Sequence, residues 1–364
     1  MLAPLYVDAA PLLSPPLTGI GRLTARLVEA LSRQRPVRLF TRLGRGDPFA
    51  GSEIAIDAPL PDADGDVAAW TAALLRRPRR PCDPAAARHA CAYTFTRPPA
   101  RHFAREVSLL YDFTPLLLPW SHEEATRRLF GGVIASTLRL SDKVVAISHA
   151  TKHDAGWLSD VRPDDVVVAY PGPSLCAGRH VGGEGPATVP PYLLVVATRE
   201  PRKNVAFVHD WFLRSALIEP DTELWWVGPR GWLWQVPDTA PGRGRDRRRR
   251  LRFLGGVSDA QLCALYRRAA CVLYPSLYEG FGFPVLDALR HGTPVLASFH
   301  SALQEFAHPA LFHFDACDPA TLDDAYAALG AARPLAVDGA ELDTAHSWTR
   351  FAATVSGLAT VAHG

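Results

Sequence analysis

Lysine is nearly absent from this chain of 364 residues: of 39 basic side chains only Lys143, Lys152 and Lys203 are lysine. Arginine supplies the rest, alongside 32 prolines, so the bias looks genomic and arginine runs carry little weight. The position of Lys203 carries more. Net charge is only +2, too small to argue for a nucleic-acid partner. Six cysteines are scattered without C-x-x-C spacing, and no H-E-x-x-H stretch or Cys–His cluster occurs, so spacing offers no metal ligands. No G-x-S-x-G elbow supports a serine hydrolase. No apolar run approaches the ~18 residues that span a bilayer, and no basic-then-apolar signal opens the chain. A reduced, cytoplasmic protein is expected.

What is present is a hydrophobic content of 48% against 21% charged residues, the balance of a globular protein of two domains. Strand-like and helix-like segments alternate almost throughout, which predicts an α/β fold of parallel sheets. The Pro/Gly-rich stretch 173–191 reads as a linker. The predicted division is an N-terminal doubly wound domain over 1–172 and a C-terminal doubly wound domain over 192–346. A last helix, 347–364, is expected to pack back toward the first domain. The segment from Arg42 to Arg101, rich in Pro, Ala and Asp, gives the least readable pattern.

The richest stretch runs from Tyr274 to Val295. Cys271–Tyr274 reads as a buried strand, Glu279, Gly280 and Gly282 form a turn, and Pro284 opens a helix bearing Asp287. Such a turn lies at the carboxyl end of a parallel strand, where open α/β sheets bind ligands. Glycines allow close backbone approach, a helix N-terminus favours an anion, and two carboxylates accept hydroxyls. A nucleotide sugar fits; a glycine-rich turn with a dipole-paired acid is the bland alternative.

Arg199, Arg202 and Lys203 follow the first strand of the second domain, where cations oppose the dipole of the next helix and a bound anion would resolve the conflict. Thr18-Gly19-Ile-Gly21 resembles the start of a dinucleotide fingerprint, but Thr24 holds the third glycine position and no acid ends the second strand. A nicotinamide cofactor is therefore disfavoured. Asp112 ends another apolar strand, as a cleft residue or a turn cap. Ser148 reads as an N-cap. The arginine run 243–252 reads as solvated loop, with contact to an anionic membrane as the minority reading and no nucleic acid partner.

Together these segments resemble the retaining glycosyltransferases of family four, which have the GT-B fold of two Rossmann-like domains facing a cleft. The carriers are Pro275 to Val295, with its E-G-F-G-x-P core, and Glu200-Pro-Arg-Lys-Asn204. Weaker echoes are Thr18–Gly21, Gly228–Trp232 and Leu254–Asp259. The resemblance implies that Arg202 and Lys203 hold a donor diphosphate, with Arg199 alongside. It implies that Glu279 binds the transferred sugar, helped by backbone around Phe281, Gly282 and Phe283. Asp287, where the family usually has Glu, would meet the ribose, Val257 the base, and Gly19 and Gly21 the diphosphate, with Asp112 near the chemistry. Tyr111 replaces a common His and Ala197 a common Gly. The implied reaction is metal-independent, retaining hexose transfer from a nucleoside diphosphate sugar, GDP-mannose by first guess, with no cofactor. The implied acceptor is a saccharide or lipid-linked oligosaccharide of a surface polysaccharide. A nucleotide-sugar epimerase and a non-enzymatic anionic-surface scaffold are the competing readings.

Overall fold

A computed structural model describes residues 2–13, 16–41, 51–63, 66–175, 190–232, 250–333, 335, 337–338 and 342–360. Most of the predicted linker and most of the arginine run therefore lie outside the described residues. The chain divides into two compact units. The first comprises Met1–Phe113, Arg128–Ser174 and Thr344–Gly364, the second Thr114–Arg127 and Leu175–Asp343. Thr114–Arg127, expected in the first domain, thus groups with the second.

The first unit is built on an eight-stranded sheet. Its strands are β1 (Leu5–Asp8), β2 (Val37–Thr41), β3 (Ser52–Ile56), β4 (Arg80–Pro81), β5 (Ala90–Tyr93), β6 (Arg105–Leu110), β7 (Lys143–Ala146) and β8 (Val166–Val168). Their spatial order is β4-β3-β2-β1-β5-β6-β7-β8. The central strands are buried on both faces, which is why they read as short apolar runs without alternation. At one edge β3 pairs antiparallel with β2 and β4 antiparallel with β3, so the sheet is mixed rather than wholly parallel. Along this part of the chain lie helices α1 (Gly19–Ser32), α2 (Val67–Leu75), α3 (Thr114–Leu117), α4 (Glu124–Leu140) and α5 (His149–Leu158). Ser148 caps α5, accepting from the Thr151 N–H at 3.0 Å.

Strand β5, between β1 and β6, lies inside the segment that gave the weakest pattern. Its sequence, Ala-Cys-Ala-Tyr, lacks the β-branched residues that mark strands, because neighbours fill the space. Tyr6, Phe40, Tyr93 and Phe103 cluster there, Tyr6 and Phe103 with ring centroids 5.4 Å apart. Beneath them sits a wholly buried ion pair, Arg97 to Glu106 at 2.6 Å, both side chains 0% exposed. Glu106 also accepts from the backbone N–H groups of His102 and Phe103 at 2.8 and 3.0 Å, which fixes the entry to β6.

The second unit carries a six-stranded, wholly parallel sheet of β9 (Tyr192–Val196), β10 (Glu223–Val227), β11 (Leu251–Gly255), β12 (Cys271–Tyr274), β13 (Val295–Ser298) and β14 (Leu311–Phe314). The order is β11-β10-β9-β12-β13-β14. The chain runs outward one way from β9 and the other way from β12, so the loops after these two strands diverge at a topological switch point. Among the described residues after Leu175, this unit carries helices α6 (Val205–Arg214), α7 (Asp259–Arg268), α8 (Phe283–Arg290) and α9 (Pro319–Ala331). A last helix, α10 (Trp348–Leu358), packs on α1 in the first unit. There Arg35 donates to the Ser356 carbonyl and hydroxyl at 3.3 and 3.2 Å, and Arg105 to the Leu358 carbonyl at 3.0 Å.

Replacing Glu106 by alanine strands the Arg97 charge in the core. The expected cost is roughly 3–5 kcal/mol, because breaking a buried pair leaves an uncompensated ion. The urea midpoint of unfolding checks this; a shift under about 0.5 kcal/mol would contradict it.

Candidate active site

Two loops emerge side by side at the switch point, and each owes its course to local chemistry. After β9, Pro201, Arg202 and Lys203 form a single tight turn that ends at Asn204. Asn204 adopts a left-handed conformation, φ 55°, and its side-chain amide donates to the Ala316 carbonyl at 2.7 Å. Asparagine tolerates this region better than most residues, and the reversal lets α6 begin at Val205. After β12, the chain turns through Glu279 and enters α8 at Gly282, whose φ is +134°. A Cβ there would stand 2.7 Å from the Leu303 side chain, so only glycine fits. Backbone joins the loops directly: the Leu277 N–H donates to the Arg202 carbonyl at 2.8 Å.

The side chains of Arg202, Lys203 and Glu279 converge. Arg202 reaches one Glu279 oxygen at 3.0 Å, and its Nε lies 2.7 Å from Glu200. The Lys203 ammonium meets the other Glu279 oxygen and donates to the Tyr274 hydroxyl at 3.3 Å. Lys203, Glu200, Tyr274 and Glu279 are all buried. Burial alone would raise the Glu279 carboxyl, but the Lys203 and Arg202 charges outweigh it and hold the group at about 2, below its ordinary 4.5. Burial, and then Arg202, lower the Lys203 ammonium against the pull of Glu279. The result is a carboxylate clamped between a buried ammonium and a half-buried guanidinium. Behind it, the Glu279 N–H donates to the Ser301 hydroxyl at 2.8 Å.

Other predicted site residues take separate places. Arg199 lies with its guanidinium 4.7 Å from the Phe253 ring centroid, in a loop bridged to the one after β10 through Arg230. Phe281 is buried against Phe283 and Phe306, so its side chain is a wedge and only its backbone is available to a ligand. Asp287 is 2% exposed and accepts from the Leu175 N–H at 3.2 Å; this shorter acid serves the chain entering the unit. Val257 is half-buried just before the Ser258–Gln261 capping box of α7. Gly19, Gly21 and Asp112 belong to the first unit. Thr18 caps α1 by accepting from the Gly21 N–H at 3.2 Å, and a Cβ on Gly21 would stand 2.8 Å from the Pro11 carbonyl. Asp112 is half-buried in the loop after β6, where the Thr151 hydroxyl donates to the Tyr111 carbonyl at 2.8 Å. The Tyr111 hydroxyl donates to the Thr94 carbonyl, so its proton is already committed. Sequence reasoning assigned no role to Glu200, Tyr274 or Ser301. Glu200 and Tyr274 lie inside the segments that drew attention, but Ser301 carries no local signal.

Residues 190–330 match the family described as Glycosyl transferases group 1. The chain is 27% identical over 329 residues to O-antigen chain mannosyltransferase B of Escherichia coli, covering 80% of this chain and 81% of that protein. It is 23% identical over 237 residues to the E. coli serotype-specific mannosyltransferase WbdA, covering 59% of this chain but only 28% of that longer protein. Among solved structures, a sucrose-phosphate synthase from Thermosynechococcus elongatus superposes with a TM-score of 0.62 at 17% identity, covering 98% of both chains. Anabaena HepE, in complex with UDP and glucose, gives 0.61 at 15% identity, covering 98% of this chain and 99% of its own. Both structural likenesses establish the fold. The chain carries a glycosyl transferases group 1 domain, has the GT-B fold, and is a glycosyltransferase.

Glu279 has a depressed carboxyl pKa, so its contribution to stability is complete above its ordinary 4.5 and is lost as pH falls toward about 2. Glu279→Gln removes that contribution. Plotted against pH, the urea midpoint of the wild type should fall over this window more steeply than that of the variant. At neutral pH the variant should lose on the order of 3 kcal/mol, because Lys203 is left buried without its carboxylate while Arg202 keeps only Glu200. Parallel pH profiles would contradict the assignment.

Proposed function

We propose that this chain moves a hexose, mannose, from a nucleoside diphosphate sugar, GDP-mannose, to a saccharide or lipid-linked acceptor of a surface polysaccharide. Transfer is retaining and needs neither metal nor cofactor. The observation that carries this reading is the convergence of Arg202 and Lys203 on Glu279 at the switch point of the second sheet. Relatives named for O-antigen mannosyl transfer support the sugar and the acceptor class. The Anabaena neighbour, solved with UDP and glucose, supports a nucleotide-sugar donor.

The chemistry follows from the charges. A diphosphate arriving at the loop competes with Glu279 for both cations. Lys203, whose protonated form burial disfavours, gains most from the added negative charge. Displaced from its partners, Glu279 becomes an acceptor for sugar hydroxyls. When the bond from the anomeric carbon to the diphosphate oxygen breaks, negative charge grows on the leaving group. Arg202 and Lys203 stabilise it as fixed donors that need no reorganisation, an effect of several kcal/mol per key donor. With these cations on the diphosphate, the step is written without a metal. Asp287 meets the ribose, Arg199 supports the diphosphate, and Val257 lies near the base. The reaction takes place in the cytoplasm with peripheral access to the membrane; among the described residues no helix is long and apolar enough to cross one.

Lys203→Ala and Glu279→Ala should each lower transfer from GDP-mannose to a lipid-linked acceptor by at least about a hundredfold. Full activity in both variants would sink the site assignment, and conversion of the donor without any acceptor would mark an epimerase instead. A thermal-shift panel of GDP, UDP and ADP sugars names the donor, since stabilisation grows as ln(1 + [L]/Kd).

A further inference from the structure

Behind the two active-site loops lies a group of side chains that the transfer reaction does not use. His300 follows β13, and Asp315 and Cys317 follow β14, so strands adjacent in the sheet deliver all three to the same end. One ligand atom from each, the imidazole nitrogen, a carboxylate oxygen and the thiol sulfur, lies within 4.8 Å of the other two. His300 Nε2 is buried, makes no hydrogen bond, and stands 3.4 Å from Asp315 Oδ1. Two ligands on one tetrahedral ion with bonds of about 2.05 Å are roughly 3.3 Å apart, so the nitrogen and oxygen already have the spacing of a metal pair.

The supporting contacts are those of a prepared ligand set. The Cys317 N–H donates to Asp315 Oδ1 at 2.8 Å, which orients the carboxylate, and the Asp315 N–H donates to the Thr321 hydroxyl at 2.9 Å, which holds its backbone. Cys317 is exposed, so its thiol can close the remaining distance by rotating about a single bond. A mixed nitrogen, oxygen and sulfur set favours a borderline-soft divalent ion over magnesium or calcium, and three protein ligands leave a fourth position to water.

We propose that His300, Asp315 and Cys317 bind a zinc-class divalent ion that braces the active-site loops from behind. Ala316, between two of the ligands, accepts from the side chain of Asn204, the residue after Lys203. Ser301, next to the third, accepts from the Glu279 N–H. One ion therefore ties the supports of Lys203 and Glu279 together. It touches no reacting atom, so the proposal stands apart from the identity of the donor.

The test uses the full chain, stripped with a chelator and kept in a phosphine reductant that does not itself bind metal. Titration with Co²⁺ should show one equivalent of uptake and a near-ultraviolet thiolate-to-cobalt band, both displaced by Zn²⁺. Cys317→Ser should abolish the band, His300→Ala should weaken uptake at least about tenfold, and Cys82→Ala, at a buried thiol of the first unit, should leave both unchanged. Metal-free thermal midpoints matching the wild type verify that the variants fold. Absence of the band in the wild type, its persistence in Cys317→Ser, or unchanged uptake in His300→Ala would overturn the proposal.

Discussion

Glu279 sits between Arg202 and Lys203, and the geometry of the second unit follows from keeping it there. A carboxylate and an ammonium inside a protein are tolerated only as partners, because either alone carries the full penalty of lost hydration. Two loops with different courses must therefore reach one point. The left-handed turn at Asn204, the glycine at 282 and the backbone bond from Leu277 to Arg202 all serve that meeting. The parallel sheet contributes by divergence: strands leaving β9 and β12 in opposite directions open the space into which these loops project.

The same arrangement stores the charge that the chemistry needs. Without a ligand, the two cations are neutralised by Glu279 and Glu200, so no bare positive charge lies buried. A diphosphate replaces one set of ionic partners with another, and the buried Lys203 ammonium need not recover water at any stage. Preorganisation of this kind favours a site built at the ends of strands, where backbone fixes side-chain direction.

Much of this was legible in the chain. Strand Cys271–Tyr274 has the predicted limits, because its apolar run and the turn signals after it agree. The charged residues of the site occur in two short segments, each at a strand end, so Arg202, Lys203 and Glu279 could be chosen without knowing that they touch. What stayed hidden was non-local. Strand β5 is made of small residues whose fit depends on aromatics contributed by β1, β2 and the loop before β6. Asp287 reads as a ligand residue, and only the fold reveals that it also holds the Leu175 N–H. His300 and Cys317 are seventeen positions apart with no motif spacing, and strand pairing alone brings them together.

The return of α10 to α1 has a consequence for how the molecule is made. Arg35 binds Ser356, a partner 321 residues away, so the first unit draws on segments on either side of the second in the sequence. Residues 175–343 can fold during synthesis, but the surface of α1 that α10 covers must wait until residues 348–358 have been made. Apolar side chains of α1 therefore stay unshielded while the intervening residues are made. Loss of α10 would act far back in the sequence, leaving the α1 surface of the first unit exposed to chaperones and proteases.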